Sequence, residues 1–146
     1  MDKKRVNYSV YCDGGARGNP GPAGVGFVVY DYSGHVLAKG ARFIGRATNN
    51  VAEYRAVVEA LKWFKTNRIG ELSEIRFHLD SMLVVNQLNG LYKIKNSGLR
   101  ELIITVRQLE NEIEGAVFYQ HVPREKNKEA DALVNQIIKK NLTALV

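Results

Sequence analysis

Asp13 is a lone acid that ends an apolar run and is followed at once by Gly14-Gly-Ala-Arg-Gly-Asn-Pro-Gly-Pro22. A carboxylate in that place could ligate a divalent cation. The backbone of Gly14, Gly15, Gly18 and Gly21, with no Cβ in the way, could come close to a phosphodiester. Asp13 could equally be a solvated aspartate opening a hairpin. Three further acids have the same double meaning. Glu53 precedes Val57, Ala60 and Leu61 by four, seven and eight residues, which puts it on the apolar face of a helix, in its first turn. It is either the far half of a capping box begun by Asn50 or an acid on the core side in need of a partner. Asp80 follows the alternating Ile75, Phe77 and Leu79, either as a strand-end ligand or as the N-cap of the next helix. Asp131 precedes Val134 by three and Ile138 by seven, at the edge of a helix face where the macrodipole also favours an acid.

The elements that must position these acids follow from hydrophobic periodicity. Strands are predicted over 6–13, where apolar residues alternate, and over 25–30 and 35–43 around turn signals, an antiparallel meander with the glycine-rich stretch as the first turn. Residues 45–50 break the strand pattern, and a helix follows over about 51–67. A fourth strand covers 74–79, a helix 81–88 and a polar linker 89–97. A helix over 98–112, a strand over 116–122 and a last helix over 128–140 complete the pattern, with 141–146 as a tail of unassigned structure. The order β-β-β-α-β-α-α-β-α predicts an α/β fold on a mixed five-stranded sheet, in one domain over 1–146. A helix separates the third and fourth strands, so the fourth can run parallel to the first. Asp13 and Asp80 would then stand at strand carboxyl ends, where open α/β sheets receive ligands.

Composition sets the outer limits. The chain is 45% hydrophobic and 25% charged, without low-complexity tracts. No apolar stretch reaches the length of a membrane span, and the first residues lack the apolar core of a signal peptide, so a cytoplasmic protein is expected. The lone Cys12 excludes an intramolecular disulfide framework and a multi-cysteine zinc site. Net charge is +6, which favours polyanionic partners. The basic residues are scattered, with small clusters at 3–5 and 93–95 and at Arg124, Lys126 and Lys128, so binding to nucleic acid should be salt-sensitive.

Taken together, Tyr11-Cys-Asp-Gly-Gly with Gly18-Asn-Pro-Gly-Pro, Thr48-Asn-Asn-Val-Ala-Glu-Tyr, Leu79-Asp-Ser and Asn127-Lys-Glu-Ala-Asp-Ala-Leu resemble, in this order, the motifs of type 1 ribonuclease H. The resemblance covers nearly the whole chain and implies the ribonuclease H-like fold. It implies that Asp13, Glu53, Asp80 and Asp131 carry two Mg²⁺ ions, with Mn²⁺ as a possible substitute. The implied reaction hydrolyses the RNA strand of RNA/DNA hybrids, leaving 5′-phosphate and 3′-hydroxyl ends. Gly14, Gly15, Asn19, Asn49 and Asn50 match positions that approach the hybrid's minor groove. Arg46, Thr48 and Asn96 match a pocket for a phosphate of the DNA strand. Two departures stand out. The family's loop histidine before the last helix has no counterpart, because His121 falls inside a strand; Arg124 is the nearest candidate to replace it. The basic helical protrusion of some members is missing, leaving Lys93 and Lys95 around Ile94 as candidate substrate contacts, and no separate hybrid-binding domain is expected. A monomer is expected. Related exonucleases and integrases, or an inactive binding module, are the competing readings; the Thr48-Asn-Asn and Gly18-Asn-Pro-Gly surroundings argue against the first and the four acids against the second.

Overall fold

In the computed structural model, residues 6–67 and 73–144 are described. Strands β1 (Asn7–Ala16), β2 (Gly21–Tyr30) and β3 (Val36–Ala47) form the antiparallel meander, with β2 buried on both faces. Helix α1 (Asn49–Thr66) leads to β4 (Glu74–Leu79), then α2 (Met82–Leu88) and α3 (Ser97–Glu112). Strand β5 (Ala116–His121) and a 3₁₀ turn at Arg124–Lys126 precede α4 (Lys128–Ala144). The five strands form one mixed sheet in the order β3-β2-β1-β4-β5, with β1, β4 and β5 parallel to one another. This is the expected α/β architecture.

Packing explains why the centre of the sheet is so rich in glycine. A Cβ built on Gly14 would lie 2.1 Å from the Ala52 carbonyl oxygen, so the backbone of α1 rests directly on β1. On the opposite side, a Cβ on Gly26 would lie 2.9 Å from the Ala130 carbonyl oxygen, so α4 sits equally close to β2. Asp13 pairs with Gly26 across the ladder, between these two close approaches. The core lies on the α1 side, where Val10, Cys12, Val57, Leu61, Phe64, Ile75, Phe77 and Leu79 are buried. Tyr54, fully buried, donates its hydroxyl to Gln87 Oε1 at 2.7 Å, which ties α1 to α2. Cys12 is buried too, its Sγ 3.9 Å from the Ala56 carbonyl oxygen.

Several boundaries depart from the sequence reading. The expected turn after Asp13 is strand: Gly14 pairs with Val25, Gly15 with Gly24 and Ala16 with Ala23. The reversal is confined to the segment between Ala16 and Gly21, closed by the Arg17 N–H donating to the Pro22 carbonyl at 2.8 Å. Ladder bonds to β2 override the turn propensity of the glycines because helices on both faces demand a flat, bare backbone there. Strand β3 likewise continues through Gly45 and Arg46 by way of a bulge between Phe43 and Gly45. The N-cap of α1 is therefore Thr48, whose hydroxyl accepts from the Val51 N–H, and the capping box from Asn50 to Glu53 does not form. Asp80 is no cap either, since Ser81 caps α2. The tail, unassigned from the sequence, continues α4 to Ala144; its last residues, 145–146, lie outside the described residues.

Candidate active site

Four elements deliver acids to one place. Asp13 lies on β1 two residues past the last parallel pair with β4, Tyr11 with His78, and Asp80 directly follows β4. Glu53 comes from the first turns of α1 and Asp131 from the first turn of α4. Asp13, Glu53 and Asp80 each offer a carboxylate oxygen, and these oxygens all lie within 4.8 Å of one another. Asp131 stands outside that trio but within hydrogen-bonding reach of Asp13. All four line one cleft of 510 Å³ together with Gly14, Gly15, Arg17, Asn49, Arg124 and Asn135. A hollow of 590 Å³ beside Tyr11, Tyr30 and Tyr32 contains none of the four.

The electrostatics are those of carboxylates crowded together with too little positive charge beside them. Burial, and after it the charges of Asp80 and Glu53, push the Asp13 carboxyl up to about 9. Burial and Asp80 push Glu53 up to about 8, with the Arg124 guanidinium pulling the other way. Glu53 Oε2 is buried without a hydrogen-bond partner. An orphaned carboxylate oxygen beside two other carboxylates is costly unless a cation completes the set. Oxygen-only donors without His or Cys suit a hard divalent ion, so the residues fit the expected metal.

The other residues singled out in the sequence differ in where the fold puts them. Asn19 and Asn49 are brought to the cleft edge and hold it together. Asn19 Oδ1 accepts from the Asn49 N–H at 3.0 Å, and Asn49 Oδ1 accepts from the Ala16 N–H at 2.9 Å. Asn50 is the second residue of α1, and Arg46 is exposed at the end of β3. Thr48 and Asn96 both act as N-caps, Asn96 accepting from the Leu99 N–H at 3.1 Å. Lys93, Lys95 and Asn96 belong to the segment joining α2 and α3, are exposed, and do not line the cleft. No helix intervenes in that segment. Arg124 lines the cleft, whereas His121 ends β5, paired with Leu79.

Three residues at the site escaped the sequence reading. Asn127 is almost fully buried, and its Nδ2 donates both to the Cys12 carbonyl at 2.8 Å and to Asp80 Oδ2 at 3.3 Å. It thus holds Asp80 against the strand that carries Asp13. Its position four residues before Asp131, at the head of that motif, was the available signal. Arg17 and Asn135 also line the cleft. Asn135 follows Asp131 by one helical turn and was legible on that ground; Arg17 sat unremarked among the glycines.

Residues 11–137 match the family described as Reverse transcriptase-like. A bifunctional protein of Mycobacterium tuberculosis is 43% identical over 128 residues, covering 86% of this chain and 34% of its own length. Ribonuclease HI of Halobacterium salinarum is 41% identical over 128 residues, covering 88% of this chain and 62% of its own. The chain therefore spans about a third of the length of the mycobacterial relatives it matches. Among solved structures, LC11-RNase H1, isolated from compost, superposes with a TM-score of 0.87 at 42% identity, covering 93% of this chain and 98% of that one. The same protein in complex with RNA/DNA hybrid gives 0.85 at 41% identity, covering 92% and 99%.

Proposed function

The chain belongs to the type 1 ribonuclease H family, and on that premise we propose that it is an endoribonuclease that hydrolyses the RNA strand of RNA/DNA hybrids. The observation that carries the reading is the meeting of Asp13, Glu53 and Asp80 within 4.8 Å, with Glu53 Oε2 orphaned among them. Asp13, Glu53, Asp80 and Asp131 would hold two Mg²⁺ ions, with Mn²⁺ able to replace them. When bound, such a pair supplies an activated water and neutralises the leaving oxygen, which leaves 5′-phosphate and 3′-hydroxyl ends.

The chain's own residues do the rest. Asn127 keeps Asp80 facing Asp13 through its two donated bonds. The side-chain oxygens of Asn19 and Asn49 are occupied by backbone donors, so each amide keeps its NH₂ to donate to sugar and base edges in the minor groove. Asn50, Gly14 and Gly15 complete that edge. Arg46, Thr48 and Asn96 serve the phosphate of the DNA strand. In the last two, capping uses the acceptor and leaves the hydroxyl or amide donor available. Lys93 and Lys95 add long-range charge toward the substrate. Arg124 cannot shuttle protons near neutrality, so in this reading it acts by charge on Glu53 and on the departing strand. Nothing in the reaction requires a second copy of the chain. Labelled RNA/DNA hybrid, double-stranded RNA and DNA duplex, each incubated with Mg²⁺ or Mn²⁺, test the proposal. Only the hybrid should be nicked in its RNA strand, and an intact hybrid under both metals defeats the reading.

A further inference from the structure

We propose that Arg17 and Asn135 form a relay across the mouth of the cleft, in which Asn135 positions Asp131 and Arg17 binds a phosphate of the strand to be cut. The inference rests on the hybrid-nuclease reading above. Arg17 is exposed, but its backbone is clamped: its N–H donates to the Pro22 carbonyl, and a Cβ on Gly21 would lie 2.0 Å from its carbonyl oxygen. From this fixed base its Nη2 donates to Asn135 Oδ1 at 3.4 Å. Asn135 in turn donates its Nδ2 to Asp131 Oδ2 at 3.2 Å. One bond thus connects the β1–β2 turn to α4, between residues 118 apart in sequence, and a second, within α4, carries the link on to Asp131.

The chemistry of the link gives it direction. Arg17 stands in a cleft lined by four acids, yet among the described residues it forms no ion pair with any of them. A neutral amide stands between it and Asp131. Asn135 spends its donor on the carboxylate and offers only its acceptor to the guanidinium. That guanidinium carries five N–H donors, and among the described residues one is used, in a long bond. An arginine kept off the acids, anchored at its backbone and only weakly held at its tip, is built to receive an external anion. A phosphodiester oxygen pair is the anion whose geometry its fork fits.

The roles predict separate defects. Steady-state cleavage of a hybrid by the whole chain in Mg²⁺, at several KCl concentrations, should show Arg17→Ala raising KM about tenfold with kcat little changed. The slope of log(kcat/KM) against log[KCl] should become shallower by about one, the signature of one lost phosphate contact. Arg17→Lys should keep the wild-type slope and recover part of KM. Asn135→Ala should leave KM alone, lower kcat, and weaken Mn²⁺ binding several-fold in a calorimetric titration without substrate. Wild-type KM and salt slope in Arg17→Ala, or wild-type Mn²⁺ affinity in Asn135→Ala, overturn the proposal while leaving the nuclease reading intact. If Arg17→Ala melts far below wild type, Arg17→Lys decides, and loss of the salt slope despite the retained charge refutes the phosphate contact. Wild-type protein that leaves the hybrid uncut sinks the nuclease reading, and this one with it.

Discussion

Replacing Asp13 by Asn should abolish cleavage and at the same time make the metal-free protein more stable. The carboxylate oxygens of Asp13, Glu53 and Asp80 lie within 4.8 Å of one another. At an effective dielectric of about 20, two unit charges at that separation repel by about 3.5 kcal/mol. The folded protein escapes part of this by holding a proton on Asp13, whose carboxyl is pushed from 3.8 up to about 9. The sign follows from linkage. A carboxyl raised on folding contributes stability fully present below its unfolded value near 4, and that stability is lost as pH climbs through the folded value near 9. The loss runs at up to about 1.4 kcal/mol per pH unit, shared with Glu53 and relieved by local relaxation. Asn has the same shape and no charge, so Asp13→Asn should gain about 1–3 kcal/mol at pH 8. For a domain of this size that is a melting temperature higher by roughly 3–10 °C. Thermal melts by circular dichroism in EDTA, at pH 5 and pH 8, measure it. The gain should be small at pH 5 and grow toward pH 8, and Mg²⁺ should raise the wild-type melting temperature more than that of the variant. A variant that melts below wild type at pH 8, or a gain equal at both pH values, refutes the reasoning.

Other expectations follow from the same geometry. Gly14→Ala drives a methyl into the Ala52 carbonyl and should cost about 3 kcal/mol, with α1 and Glu53 displaced; a chemical denaturation curve and a turnover assay on the same sample check both effects. Arg124→Ala should lower kcat about tenfold and raise the Mg²⁺ requirement, because the charge that eases ionisation of Glu53 is gone, whereas His121→Ala should turn over near wild type. A loss confined to the histidine variant would reverse that assignment. Tyr54→Phe leaves Gln87 Oε1 without its buried donor and should cost about 1–2 kcal/mol in urea unfolding, with kcat unchanged.

Much of this arrangement could be read from side-chain periodicity. Side-chain pattern and turn signals located all five strands, and the helix between β3 and β4 left β4 free to run parallel to β1, which it does, bringing Asp80 alongside Asp13. The placing of Glu53 on the apolar side of α1 was likewise correct, because a spacing of four and seven residues leaves no other face. What local reading missed was decided by partners distant in sequence. Gly14 and Gly15 look like turn residues until β2 offers them a ladder and α1 needs their bare backbone. Asn50 and Thr48 are both good caps, and only the continuation of β3 through Arg46 selects Thr48. The hydrogen bonds of Asn127 to Cys12 and of Arg17 to Asn135 span 115 and 118 residues, beyond any window of periodicity.

Cys12 gives the protein an internal clock. Its thiol projects from the strand that also carries Asp13 and is sealed against α1, and burial with the neighbouring acids raises its pKa well above the ordinary thiol value. Only the thiolate reacts with alkylating reagents, so in the closed fold the residue is inert twice over, by access and by protonation. Modification must wait until β1 parts from α1, the same event that scatters the carboxylates. With one cysteine in the chain, the rate of thiol labelling therefore counts the openings of the active site itself, with no engineered probe.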